Sequence, residues 1–132
     1  MESTNPTLVQ SLKGGAIAGL AAAILNSIWS LIANGLGATI PPGFTFAVVM
    51  SSILPLLIAA IIYWALMKYT SKGMMIWLVV SIGFTLISFV PVFNTAQLPD
   101  GTLLDSTFPM LAGPMHGISG LLAAWGIPKW SK

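Results

Sequence analysis

The chain has 132 residues, of which 56% are hydrophobic and 6% charged, and its mean hydropathy is +0.92. Soluble domains carry about 25% charged residues, so this composition excludes an ordinary soluble fold. There is no cysteine, which excludes disulfides, thiolate metal sites and thiol nucleophiles. The positive charges are lysines at the ends of apolar segments and do not imply a nucleic-acid partner. We therefore expect an integral membrane protein whose surroundings are the lipid bilayer.

The first predicted span covers residues 14–36, between Lys13 and a turn-forming segment at 34–37. Leucine and isoleucine side chains occupy much of its circumference. Small and polar residues recur at spacings of three or four and therefore share one side of the helix. Lipid offers no partner to an Asn amide, so this side should face protein. Its members are Gly15, Gly19, Ala22, Asn26, Ser30 and Asn34.

The second and third predicted spans cover residues 46–67 and 74–90, joined by a short basic loop. In the second span, Tyr63 is a candidate inward position and, with Trp64, a candidate interface anchor. The third span is expected to end at Pro91. Its hydroxyl residues form a polar stripe at helical spacing, made of Ser81, Thr85 and Ser88.

The fourth predicted span covers residues 108–128, which contain no charged side chain. Pro114 lies inside it and predicts a kink just before His116, the only histidine in the chain. The same segment carries Gly113, Gly117 and Gly120, which would allow another helix backbone to approach closely.

The five lysines predict the topology. Lys13 precedes the first span, Lys68 and Lys72 lie between the second and third, and Lys129 and Lys132 follow the fourth. All five lie on one side if both termini are cytoplasmic, as the positive-inside rule requires. The sequence thus predicts a single all-α membrane domain over residues 1–132, a four-transmembrane-helix bundle.

His116 has two interpretations. It is either a proton-responsive or ligand-contacting group, or a neutral imidazole bonded to a serine, an asparagine or a carbonyl that Pro114 leaves free. The expected partners are Asn26, Ser30, Ser81 or Thr85. A single histidine cannot supply two axial haem ligands, and no intramembrane carboxylate accompanies it, so we expect no cofactor and no metal site.

Met115 and His116, followed by Gly120 and Ile127–Pro128, make the chain resemble an uncharacterised family of small bacterial four-helix integral membrane proteins. Those proteins carry a Met-His pair early in the last helix. The resemblance implies the bacterial inner membrane and gives no activity.

Two function hypotheses remain, with a membrane enzyme third because no recognised catalytic constellation appears. The first is a structural or accessory subunit, packed against a second copy or another membrane protein. Its packing positions would be Gly15, Gly19, Gly113, Gly117 and Gly120. The second is a small transporter or channel with a polar cavity lined by His116, Asn26, Ser30, Asn34, Tyr63, Ser81 and Thr85. The lack of charged residues inside the spans favours the first hypothesis.

Overall fold

The computed structural model describes residues 5–132, which form four helices, the last of them in three consecutive pieces. Helices α1, α2 and α3 are each long and apolar enough to cross a membrane, whereas α4 by itself is shorter. The elements are α1 Leu8–Gly35, α2 Phe44–Tyr69, α3 Gly73–Asn94, α4 Phe108–Leu121, a π-helical turn Leu122–Gly126 and α5 Ile127–Trp130.

Helix α1 begins six residues before the predicted start of the first span because a capping box precedes it. The Thr7 hydroxyl accepts a hydrogen bond from the Gln10 N–H at 3.2 Å, and the Gln10 side chain accepts one from the Thr7 N–H at 2.8 Å. These two bonds satisfy N–H groups that a helix start otherwise leaves free. Lys13 consequently lies within the helix.

Helix α3 does not end at Pro91, contrary to the sequence prediction. It continues to Asn94, and the Thr95 N–H donates to the Pro91 carbonyl at 2.8 Å. A proline removes only its own N–H from the ladder, so residues after it can remain helical where the surroundings tolerate the freed carbonyl.

The π-helical turn was not predicted. Within it the Ile127 N–H donates to the Leu122 carbonyl, one residue further back than in an α-helix. Pro128 follows in the first turn of α5, where a missing N–H costs little. The helix thus passes Pro128 and runs to Trp130.

Helix α1 is central to the packing and contacts α2, α4, the π-helical turn and α5. It approaches α2 closely at Gly15, where a built Cβ would lie 2.6 Å from the Ala60 Cβ and 2.8 Å from the Leu56 carbonyl oxygen. At Gly19 a Cβ would lie 3.0 Å from the Ile53 Cα. Only residues without side chains allow this helix pair to meet so closely.

The glycines of α4 differ from one another. A Cβ on Gly120 would overlap the Thr85 side chain of α3, and one on Gly113 would only touch Phe89 at 4.0 Å. A Cβ on Gly117 would meet nothing within 4 Å. Gly117 was predicted to be a close packing position, and the structure does not place it at one. Gly14, which the sequence analysis did not select, packs against α5, with the Ile127 carbonyl oxygen 2.7 Å from a built Cβ.

Large apolar side chains cover the outside of the bundle. On α1, Ile24 is 60% exposed and Leu31 72%, and on α3 Phe84 is 66% exposed. A soluble protein would bury such side chains, whereas hydrocarbon chains solvate them at no cost. The exposed surface therefore fits a membrane protein.

The segment between α3 and α4 forms a small hairpin. Gln97 and Leu103 make an antiparallel bridge, and Gly101 turns the chain with φ 88°. The Gln97 side chain donates to the Gly101 carbonyl at 2.8 Å, and the Asp100 carboxylate accepts from the Thr102 N–H at 2.9 Å. This ordered hairpin lies over the ends of α3 and α4.

Candidate functional site

Asn26 is the centre of a polar contact between three helices. It is 3% exposed, and its Nδ2 donates to the Ser52 hydroxyl of α2 at 3.0 Å and to the Ser119 hydroxyl of α4 at 3.1 Å. The spacing of α1 correctly placed Asn26 inward. Its two partners were not predicted, because a sequence shows which side of a helix is polar but not which levels of neighbouring helices meet it.

The Asn26 amide is only half satisfied. Its Oδ1 is buried and has no hydrogen-bond partner among the described residues. A buried polar group without a partner costs stability, and polar contacts in membranes are retained where they specify which helices meet. The Asn26 contact therefore fixes the relative levels of α1, α2 and α4.

Pro114 leaves a carbonyl free, and Trp29 uses it. Proline has no N–H for the Met110 carbonyl four residues earlier. The Trp29 Nε1–H donates to the Met110 oxygen at 3.3 Å and to the Leu111 oxygen at 3.1 Å. This carbonyl was one of the alternative partners considered for His116, and it bonds instead to an indole from α1.

His116 is half-buried and bonds to α3. Its Nδ1 lies 2.9 Å from the Ser88 hydroxyl oxygen, and its ring packs at 5.9 Å, centroid to centroid, from Phe89. None of the four expected partners is the one observed. Ser88 belongs to the predicted stripe of α3 but lies one helical turn beyond Thr85.

The hydrogen bonds of Ser88 favour one tautomer of the neutral imidazole. The Ser88 hydroxyl donates its only hydrogen to the Thr85 carbonyl at 2.7 Å. Both contacts of this hydroxyl are satisfied at once only when its oxygen accepts from a protonated Nδ1, so the contacts favour that tautomer. In that tautomer Nε2 carries a free lone pair.

His116 also lines an open groove of about 460 Å³ beneath the hairpin. The end of α3 contributes Pro91 and Val92, the hairpin contributes Leu98, and the start of α4 contributes Phe108. The groove is thus mainly apolar, with the imidazole as one of its few polar groups.

None of the other predicted cavity residues forms a hydrogen bond with His116 in the described part of the chain. Ser30 donates to the Ser27 carbonyl, and Ser81 and Thr85 donate to carbonyls of their own helix. Asn34 is exposed and donates to the Ala38 carbonyl at the end of α1. Helical serine and threonine commonly satisfy themselves in this way.

Tyr63 is 5% exposed and packs edge to face on Trp77, with ring centroids 5.4 Å apart. It belongs to the apolar core near the ends of α2 and α5, together with Leu122 and Ile127. Tyr63 therefore faces inward, as one of its two predicted roles required, and is a core residue and not an interface anchor. Trp64 is better placed for that role, because the Lys68 ammonium lies 5.0 Å from its ring centroid.

At the opposite end of the bundle, Asp105 joins the two loops. Its carboxylate accepts from the Thr107 N–H at 2.8 Å and from the Thr107 hydroxyl, and that hydroxyl oxygen accepts from the Thr39 N–H at 3.0 Å. The hydrogen bond from the Thr107 side chain is the main reason that the pKa of Asp105 lies below its usual range. Thr107 is the residue that immediately precedes α4 and caps its start.

Comparison with known proteins gives one match. Residues 6–107 match a family of unknown function (DUF6069), which confirms the expectation of an uncharacterised family. The match ends immediately before α4, so the Met115–His116 pair lies outside it. No curated protein and no solved structure matches the chain.

Proposed function

Because the chain belongs to the DUF6069 family, whose function is unknown, we propose from its own geometry that it is a structural or accessory subunit of the bacterial inner membrane. In this proposal the bundle crosses the bilayer four times with both termini in the cytoplasm. Its helices hold one another through close glycine contacts, and its outer surface is offered to a membrane partner.

The fourth span is proposed from the continuity of the last helix. Residues 108–130 are helical throughout, and at about 1.5 Å per residue they reach roughly 34 Å, enough for a hydrocarbon core of about 30 Å. The orientation is proposed from the lysines at one end. The Lys129 ammonium lies 4.1 Å from the Trp125 ring centroid, a pairing typical of the membrane interface.

Cysteine labelling tests this topology, because the chain contains no other thiol. Asp100→Cys, in the hairpin, should react with a membrane-impermeant maleimide added to intact cells. Ser71→Cys, in the loop between α2 and α3, is the matched control and should react only after the cells are opened. Labelling of Ser71→Cys alone in intact cells would reverse the orientation, and labelling of both variants would rule out four spans.

The observation that carries the accessory role is the weak coverage of α3. In its most apolar stretch 17% of the residues are buried inside the bundle, against 39% for α1. Its exposed surface includes Phe84, Leu86 and Ile87, each about two-thirds exposed. A transporter or channel has less support, because Asn34, Tyr63 and Asn26 lie in separate places and do not line one path.

Photo-crosslinking tests the proposed role. A benzophenone side chain at Ile87, on α3, is expected to give one discrete protein adduct in living cells. The same group at Leu31, which is 72% exposed on α1, serves as the control and should react only with lipid. Adducts of equal yield and pattern from both positions, or no protein adduct from Ile87, would contradict the accessory role.

A further inference from the structure

The groove beneath the hairpin combines apolar walls with a hydrogen-bond acceptor of fixed orientation. The acceptor is the His116 Nε2 in the tautomer with the proton on Nδ1, which lets the Ser88 hydroxyl donate to Thr85 and accept from the imidazole at the same time. Nε2 has no hydrogen-bond partner among the described residues. It is not one of the fully buried unpaired polar atoms of that part of the chain. In apolar surroundings the best partner for an accessible lone pair is a neutral hydrogen-bond donor, because moving a neutral group out of water costs much less free energy than moving a charged one.

The charges around the groove restrict what can enter. No lysine lies at this end of the described chain, and Asp100 and Asp105 both do. Their carboxylates would repel an anion. The side chains that line the groove include no carboxylate of their own, so a cation would find no countercharge there.

Two other polar side chains, Thr95 and Gln97, line the groove, and the Gln97 amide is already engaged. Gln97 donates to the Gly101 carbonyl within the hairpin. The apolar surface of Leu98 and Phe108 is therefore left to contact a ligand, while His116 provides the directional contact.

We propose that this groove binds a neutral apolar alcohol or phenol from the membrane, whose hydroxyl group donates a hydrogen bond to the His116 Nε2. The ring or chain of the ligand contacts Leu98 and Phe108. The proposal does not depend on the accessory role, since an accessory subunit and a transporter could both bind such a ligand.

The first test reads the imidazole directly. The chain has one histidine, so protein labelled with ¹⁵N-histidine in nanodiscs gives one Nδ1 and one Nε2 signal. Nδ1 should appear as the protonated nitrogen and Nε2 as the unprotonated one. Addition of 2-naphthol should shift the Nε2 signal saturably towards a hydrogen-bonded position. A neutral imidazole with its proton on Nε2 would overturn the proposal.

The second test separates binding in the groove from partitioning into lipid. The control ligand is 2-methoxynaphthalene, which has the same rings but no O–H donor, and it should bind about tenfold more weakly than 2-naphthol. Equal binding of the two compounds would mean partitioning alone and would overturn the proposal.

Variants locate the site. Leu98→Trp should fill the groove and abolish saturable 2-naphthol binding, while Leu103→Trp, on the other strand of the hairpin and 78% exposed, should leave it unchanged. His116→Phe keeps a ring in place but removes the acceptor, and should weaken binding of 2-naphthol to the level of the ether. Thermal melting confirms that each variant is folded. Unchanged 2-naphthol affinity in folded Leu98→Trp and His116→Phe would refute the site.

Discussion

Replacing Gly15 by leucine is expected to lower the free energy of unfolding by about 3 kcal/mol or more. A Cβ at this position would already lie 2.6 Å from the Ala60 Cβ and 2.8 Å from the Leu56 carbonyl oxygen. The second of these atoms belongs to the backbone of α2, which cannot move aside as a flexible side chain could. The helices would have to separate along the most extensive contact of the bundle.

Gly117→Leu is the matched control. It makes the same chemical change in a helix, but a Cβ there meets nothing within 4 Å, so we expect a change within about 1 kcal/mol. Both variants can be measured by reversible unfolding in mixed micelles with SDS. Equal destabilisation of the two would show that α1 and α2 do not meet at Gly15.

Asn26→Ala should cost about 2 kcal/mol, because it removes two hydrogen bonds and leaves a small cavity between three helices. Asn94→Ala is a suitable control, since the exposed Asn94 amide bonds only to the Val90 carbonyl of its own helix. Its replacement should change stability by no more than about 0.5 kcal/mol.

A double-mutant cycle isolates the contact between α1 and α4. If Asn26 and Ser119 are bonded, the effects of Asn26→Ala and Ser119→Ala should be non-additive by about 0.5 kcal/mol or more in the same unfolding assay. Simple additivity would indicate that Asn26 acts through packing alone.

The sequence was sufficient to predict helices and their polar sides, because helical periodicity and the cost of exposing amides to lipid are local properties. Asn26 and Gly15 are examples, and both are buried as expected. Contacts between helices depend on how far each helix is shifted along the bundle relative to its neighbours. The periodicity of one helix gives no information on that shift. His116 therefore bonds to the predicted helix α3 but through Ser88, and Gly117 lies on a side of α4 that no neighbour reaches closely.

Features that depend on proline were also only partly predictable. Pro114 and Pro91 both mark freed carbonyls, but whether a helix ends or continues depends on what satisfies the carbonyl. Trp29 supplies that partner for Pro114 from a distant part of the chain. A capping box, by contrast, was visible in the spacing of Thr7 and Gln10 and could have placed the start of α1 correctly.

The π-helical turn at Leu122–Gly126 changes the directions in which side chains before and after it point from the helix axis. Residues of an α-helix advance by about 100° each, so Ser119 and Ser131, twelve positions apart, would point about 120° away from each other. A π-helical turn absorbs one residue and reduces this angle to roughly 20°. Ser119 can then reach Asn26 while Ser131 lies against Gly14, so that both contacts are made from nearly the same side of the last helix. The extra residue thus helps all three pieces of the last helix, α4, the π-helical turn and α5, to stay in contact with α1.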